Sequence, residues 1–157
     1  MSGAERLLRK LGREFVLLDG AMGTELQKRE LLRPGECPEG LNLTHAEAIE
    51  EIHRGYVEAG ADIVYTNTFG ANACKLPKEL ELRAVLGSAI GCARRAAAGR
   101  ALVALDMGPT GKLLAPAGEL EFEDACAVFR EVVEAAEPFE PDLYVICLLY
   151  TSPSPRD

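Results

Sequence analysis

The sequence predicts an α/β protein in which parallel strands alternate with helices. Four short apolar runs carry this prediction: "FVLLDGAMG" (15–23), "DIVYTNTFGA" (62–71), "ALVALDMGPTG" (101–111) and "DLYVI" (142–146). Continuous Val-, Ile- and Leu-rich runs are typical of strands buried on both faces. Between them, apolar residues recur at helical spacing, so the order is β-α-β-α-β-α-β with right-handed parallel crossovers.

Three helical segments separate the strands. In the first, 44–61, Thr44 stands three residues before Glu47, which predicts a capping box, and Gly60 ends the pattern. The second covers residues 82–99 and the third 122–139, while 27–43 reads as a loop after the first strand.

Two architectures fit this order, a doubly wound open sheet and a (β/α)₈ barrel. Four strands are half of what a barrel needs. In both architectures the functional residues lie in loops at the carboxyl ends of the strands, so Asp19, Asn67 and Asp106 are expected at one edge of the sheet.

Composition excludes several classes of protein. The 157 residues suffice for one domain or part of one, and an apolar content of 48% permits a packed core. A net charge of −8 without a basic run argues against nucleic-acid and membrane-surface partners, and no signal peptide or membrane span is recognisable. The 5 widely spaced cysteines are expected to be free thiols in a reducing cytoplasm.

The stretch after the first strand is the most informative. Gly20 and Gly23 would permit close approach and unusual φ angles, and the main-chain N–H groups of residues 20–23, which include Ala21 and Met22, could hold a carboxylate. Asp19 would then hold an ammonium group, and the combination recognises an α-amino acid. The alternative is a tight turn in which Asp19 caps the next helix.

Polar groups also follow the second and third strands. Thr66, Asn67 and Thr68 could orient a ligand by hydrogen bonds, or could simply cap a helix. Asp106 precedes a small, rigid turn at 108–111, which could line a pocket or only reverse the chain. His45 and His53 are expected to be structural, and the 5 cysteines do not form a zinc ligand set by their spacing.

Three motifs together carry a family resemblance: "LLDGAMGTELQ", "LNLTHAEAIEEIHRGYVEAGADIVYTNTFGAN" and "DMGPTGKLLAP". On these motifs the chain resembles the homocysteine S-methyltransferase family over residues 15–146. The likeness is greatest to the homocysteine-binding barrel of the cobalamin-dependent methionine synthases. The resemblance implies a (β/α)₈ TIM barrel, of which residues 1–146 would be the N-terminal half, about four β/α units of a partial homocysteine-binding domain.

The resemblance also implies a reaction. L-homocysteine, bound to zinc as a thiolate, would accept a methyl group. Methylcobalamin would deliver this group, and the full-length protein would contain cobalamin and folate modules. Substrate would contact Asp19, the main chain of residues 20–23, and the second-strand motif of residues 66–68, with Asp106 in support. Stand-alone enzymes that use S-methylmethionine or betaine, and a non-catalytic amino-acid-binding half-barrel, are the alternatives.

The chain departs from the family pattern in its second half. The family's three zinc cysteines come from later strands and match none of the cysteines here, so the fragment is expected to be inactive. Residues 147–157, "CLLYTSPSPRD", resemble the translation of a transposase-based sequencing adapter and are expected to be a non-native tail. A genuine Ser/Pro-rich terminus is the alternative.

Overall fold

The computed structural model describes residues 3–148, and it confirms the predicted α/β fold. Three parallel strands form one sheet in the order β1-β2-β3. They are β1 (Ile63–Tyr65), β2 (Leu102–Met107) and β3 (Leu143–Ile146). Val64 is paired with Val103 across β1 and β2, and Asp106 with Val145 across β2 and β3.

The described part of the chain contains six α-helices. They are α1 (Gly3–Lys10), α2 (Met22–Lys28), α3 (Leu41–Thr44), α4 (Ala46–Glu58), α5 (Leu82–Ala97) and α6 (Phe122–Ala136). Short 3₁₀ turns occupy Pro38–Gly40 and Glu137–Phe139. Glu81 caps α5, since its carboxylate accepts the N–H groups of Arg83 and Ala84.

The prediction of a first strand buried on both faces is wrong. Residues 15–18 run alongside β1 but make only one parallel bridge, between Leu18 and Ile63. Phe15 is 91% exposed and Leu17 53%. Among residues 3–148 nothing pairs with the outer edge of this segment, so Phe15, Leu17 and Leu18 lack the neighbours that would bury them, whereas Val16 packs on the sheet.

The sheet has an apolar core on each face. On one face Val64, Val103 and Leu105 pack with α5 and α6 in the largest cluster of buried side chains. On the other face Ile63 and Ala104 form a smaller cluster with partly buried side chains from residues before β1. Alternation along the strands therefore separates a helix-covered face from a second face. Asp106 lies two residues after Ala104 in β2 and so shares the second face.

Two local predictions are also wrong. Thr44 ends α3 instead of capping α4, and its hydroxyl donates to the Gly40 carbonyl at 3.4 Å. His45 is the N-cap of α4 without a side-chain hydrogen bond to the helix. The predicted loop at 27–43 contains the end of α2, a 3₁₀ turn and α3, because Leu26 and its partly buried neighbours pack against Ile49 and Ile52 of α4.

Residues 149–157, most of the predicted adapter-derived tail, lie outside the described part. Cys147 is described, and its N–H donates to the Met107 carbonyl at 2.9 Å, which extends the pairing of β3 with β2 by one residue. Within residues 3–148 no helix has the length and apolarity to cross a membrane.

Candidate functional site

A cleft of about 380 Å³ lies at the carboxyl ends of β1 and β2. All nine residues that the sequence singled out line it: Asp19, Gly20, Ala21, Met22, Gly23, Thr66, Asn67, Thr68 and Asp106. Leu18, Pro38, Tyr65 and Phe69 complete the lining. The structure therefore brings three separate sequence motifs into one concave surface.

Asp19 is fixed in the cleft by β1. Its Oδ2 accepts the main-chain N–H of Tyr65 at 2.9 Å, while its own N–H donates to the Ile63 carbonyl at 3.1 Å. Asp19 does not cap α2, whose N-cap is Ala21. Burial raises the pKa of Asp19 to about 6, the Tyr65 N–H opposes the rise, and the charge of Asp106 adds to it.

Gly20 serves a purpose other than the one its sequence suggests. Neither Gly20 nor Gly23 has a positive φ, so the predicted unusual conformation is wrong. A Cβ on Gly20 would lie 2.8 Å from the Tyr56 ring, whereas one on Gly23 would meet nothing within 4 Å. The Tyr56 hydroxyl donates to the Ala21 carbonyl at 3.2 Å, so close packing of this ring against the loop requires Gly20.

The hydroxyls of Thr66 and Thr68 tie the end of β1 to the end of β2. They lie 2.6 Å apart. Thr68 Oγ1 donates to the Asp106 carbonyl at 2.8 Å, and Thr66 Oγ1 accepts the Asp106 N–H at 3.2 Å. Both hydroxyls are thus engaged within the protein, and they hold the main chain of Asp106 beside the cleft.

The Asn67 amide is directed at the neighbouring loop. Its Nδ2 donates to the Pro38 carbonyl at 2.8 Å and to Asn42 Oδ1 at 3.1 Å, and Asn42 Nδ2 donates back to the Asn67 carbonyl at 2.8 Å. Asn42 is fully buried. Asn42 is missed by sequence reasoning, because residues 27–43 have the pattern of a loop. A polar residue in a loop is not expected to be buried.

Asp106 is the second carboxylate of the cleft. Burial raises its pKa to about 6, the charge of Glu39 contributes, and a hydrogen bond with Cys147 lowers it. Asp106 Oδ1 is buried and has no hydrogen-bond partner among the described residues. Two acids with raised pKa values therefore face one cleft, and a cationic group entering it would stabilise both in their ionised forms.

The turn after Asp106 packs tightly on the second-strand motif. Gly108 donates its N–H to the Phe69 carbonyl at 3.1 Å, and a Cβ on Gly108 would lie 2.3 Å from that oxygen. Gly111 has a φ of +78°. The two glycines are therefore required by a close main-chain contact and by a left-handed turn.

The described residues do not fit a zinc site. Within residues 3–148 no group of three or more His, Cys, Asp or Glu side chains lies close enough together to hold a metal ion. Burial and the neighbouring Glu39 raise the pKa of Cys37 to about 11, which disfavours the thiolate that zinc would need. His53 is fully buried, and burial lowers its pKa to about 4.

Comparison with known proteins places this chain in a family. The family model described as homocysteine S-methyltransferase matches residues 16–151. Over 75 residues the chain is 51% identical to a methionine synthase of Mycobacterium leprae, covering 45% of the chain and 6% of that protein. It is 32% identical over 129 residues to the homocysteine S-methyltransferase of Escherichia coli, covering 73% of the chain and 42% of the relative.

A betaine–homocysteine S-methyltransferase of Xenopus tropicalis is 31% identical over 129 residues, which are 77% of the chain and 31% of that protein. The chain therefore spans less than half the length of these relatives.

Solved structures agree with the sequence relatives. The oxidized form of the homocysteine methyltransferase MmuM from Escherichia coli superposes with a TM-score of 0.76 at 26% identity, covering 92% of the chain and 56% of that protein. The metallated form gives a TM-score of 0.72 at 25% identity, with 92% and 57% covered. The α/β fold thus matches part of each of these structures, and the chain belongs to the homocysteine S-methyltransferase family.

Proposed function

We propose that the cleft binds the amino-acid end of L-homocysteine and that the complete protein methylates its sulfur to give methionine. The observation that carries the proposal is the convergence of nine residues from three motifs on one cleft that also holds two carboxyls with raised pKa values. Asp19 receives the ammonium group, since its carboxylate is already oriented by the Tyr65 N–H. The main chain of residues 20–23 receives the carboxylate.

The remaining polar residues support this arrangement. Thr66 and Thr68 hold Asp106 beside the ligand through hydrogen bonds to its main chain. Asn67 fixes the loop at Pro38, which lines the same cleft. Asp106 contributes a second negative charge close to the ammonium group, so both carboxyls ionise when the ligand binds.

The chemical step needs a thiolate nucleophile. A zinc ion held by residues outside the described part of the protein would supply it by lowering the pKa of the homocysteine thiol. We place the zinc ligands on later strands of a (β/α)₈ barrel, of which the described strands form part of the N-terminal half. The 157-residue chain alone would therefore bind substrate without catalysing methyl transfer.

Methylcobalamin is the proposed methyl donor, delivered by cobalamin and folate modules of a cytoplasmic methionine synthase. The chain is 51% identical to the mycobacterial methionine synthase over 75 residues and 31% identical to the betaine-dependent relative over 129 residues. The higher identity to the methionine synthase favours methylcobalamin over betaine as the donor. Assay of the complete protein with methylcobalamin, betaine and S-methylmethionine tests the choice. Methyl transfer from betaine or S-methylmethionine alone would overturn it.

Calorimetric titration of the 157-residue chain tests the binding proposal. L-homocysteine and L-methionine should bind, because both carry the ammonium and carboxylate groups. 4-Sulfanylbutanoate lacks the ammonium group and 3-sulfanylpropylamine lacks the carboxylate, so both should bind at least tenfold more weakly. Equal affinity for 4-sulfanylbutanoate and L-homocysteine would contradict the role given to Asp19.

A further inference from the structure

Glu39 is a buried acid outside the cleft lining that the proposed binding mode does not use. It lies in the 3₁₀ turn Pro38–Gly40 and is only 3% exposed. Its Oε1 accepts the main-chain N–H of Gly70, and its Oε2 accepts the Cys37 thiol at 2.9 Å. A buried carboxylate is costly unless such donors satisfy it, so its position requires an explanation.

The Gly70 hydrogen bond connects Glu39 to the cleft wall. A Cβ on Gly70 would lie 2.7 Å from Glu39 Oε1, so this approach needs a glycine. Gly70 follows Phe69, which lines the cleft and whose carbonyl accepts the Gly108 N–H at 3.1 Å. One carboxylate therefore anchors the main chain at Gly70, next to Phe69. The hydrogen bond between Phe69 and Gly108 connects this main chain to the turn after Asp106.

The charge of Glu39 also reaches Asp106. Burial is the largest cause of the raised pKa of Asp106, and the charge of Glu39 is the second. A hydrogen bond with Cys147 lowers this pKa. The other titratable groups near Asp106 are Asp19 and Tyr65, whose pKa values are in turn raised in part by the charge of Asp106. Glu39 is thus an additional negative charge outside the cleft lining that acts on Asp106.

We propose that Glu39 is a positioning residue, which fixes the main chain at Phe69 and supplies a negative charge behind Asp106 that favours a cationic ligand group. The identity of that ligand, the ammonium end of L-homocysteine, rests on the proposed function. Glu39 itself does not touch the ligand. It acts through Gly70 on the shape of the cleft and through its charge on Asp106.

Glu39→Gln in the 157-residue chain separates charge from shape, because the amide oxygen can still accept the Gly70 N–H. Glu36→Gln is the matched control, since Glu36 is an exposed acid three residues earlier in the same loop. The first readout is the carboxyl-carbon NMR titration of Asp106 without ligand. We expect its midpoint to shift to lower pH in Glu39→Gln and to stay unchanged in Glu36→Gln.

The second readout is the amide proton shift of Gly70, which we expect to move upfield when the acceptor loses its charge. The third is the dissociation constant for L-homocysteine at pH 7.5, which should rise about five- to tenfold in Glu39→Gln. The affinity for 4-sulfanylbutanoate, which has no ammonium group, should not weaken.

An unmoved Asp106 midpoint or an unmoved Gly70 shift in Glu39→Gln would overturn the inference. If the Asp106 midpoint moves but the wild-type chain fails to bind L-homocysteine, the proposed function fails while the placement of Glu39 stands. Glu39→Ala removes the acceptor as well, and it should broaden or shift the Phe69 and Gly70 amides. Because Glu39→Gln preserves size and the hydrogen bond, the test does not depend on the alanine variant folding.

Discussion

Asp19 Oδ2 accepts the Tyr65 main-chain N–H at 2.9 Å, so a carboxylate from the first apolar segment is fixed by the strand beside it. The two residues are 46 positions apart in sequence. This contact orients Asp19 into the cleft before any ligand arrives, and pre-orientation reduces the entropy lost when a ligand binds. It also leaves the carboxylate partly buried near Asp106, which is unfavourable for the empty cleft.

We expect Asp19→Asn to stabilise the ligand-free chain at neutral pH. The pKa of Asp19 is raised from 3.8 to about 6, so the folded chain holds a proton that the unfolded chain releases between these values. Stability is therefore lost as pH rises through this window, and the penalty is complete above pH 6. Allowing for partial exposure, the gain in Asp19→Asn is on the order of 1 kcal/mol at pH 7.5 and vanishes below pH 3.8.

Urea denaturation at pH 7.5 and 3.5 measures this gain, with the exposed Asp124→Asn as the control. A variant that is less stable than wild type at pH 7.5 would show that the ionised carboxylate is favourable in the empty cleft. L-homocysteine binding should be lost in the same variant, since the amide cannot neutralise the ammonium charge.

His53 should make the chain sensitive to acid. Its pKa falls from 6.5 to about 4 because burial disfavours the imidazolium, and neither ring nitrogen has a hydrogen-bond partner among the described residues. Below pH 6.5 the unfolded chain binds a proton that the folded chain does not, so stability falls as pH drops toward 4. This loss amounts to roughly 2 kcal/mol at pH 5.

His53→Leu should remove that loss and gain about 1 kcal/mol at pH 7, because two unpaired buried nitrogens disappear. The stability difference between variant and wild type, measured by urea denaturation from pH 4.5 to 7.5, isolates His53 from the opposite trend of Asp19 and Asp106. His45→Leu at an exposed position is the control. A difference that does not change with pH would contradict a buried neutral imidazole.

The two glycines of the first loop should respond differently to alanine. Gly20→Ala places a Cβ 2.8 Å from the Tyr56 ring and should destabilise the chain by about 1–3 kcal/mol. Gly23→Ala lies in α2 with open space around the new methyl, so it should be neutral or gain about 0.5–1 kcal/mol. Thermal unfolding of both variants checks the contrast, and equal effects would argue against the Tyr56 contact.

The open edges of the sheet should cause self-association. Ile146 in β3 is 68% exposed, and in the described chain β3 pairs only with β2. Ile146→Lys should increase the monomeric fraction, because charge on an edge strand opposes edge pairing. Light scattering measures this fraction. Leu8→Lys is the control, since Leu8 is 69% exposed but lies on α1. An equal increase in monomer for Leu8→Lys would show that added charge, and not the sheet edge, controls self-association.

The position of the cleft could be predicted from sequence because the carboxyl ends of parallel strands converge. Asp19, Asn67 and Asp106 each follow an apolar run, and all three line the cleft. Side-chain directions could not be predicted in the same way. Asn67 turns to Asn42, 25 residues away, because a buried amide needs partners that only the folded loop supplies.

Glu39 escaped notice for a related reason. Its sequence surroundings, "CPEGL", are those of an exposed turn, and its burial depends on Gly70, 31 residues later. Phe15, Leu17 and Leu18 differ from Glu39, because they are exposed where the sequence predicts burial. Their apolar pattern predicts a buried strand, but burial also depends on neighbours that residues 3–148 do not provide.

Amide chemical-shift mapping with L-homocysteine tests the central claim most directly. On addition of saturating L-homocysteine, perturbed amides should cluster at residues 20–23, 66–68 and 106. The amides of Arg94 and Gly99, which line a separate pocket at the opposite strand ends, should not move. Perturbations centred on Arg94 and Gly99, or none at residues 20–23, would show that the cleft is not the homocysteine site.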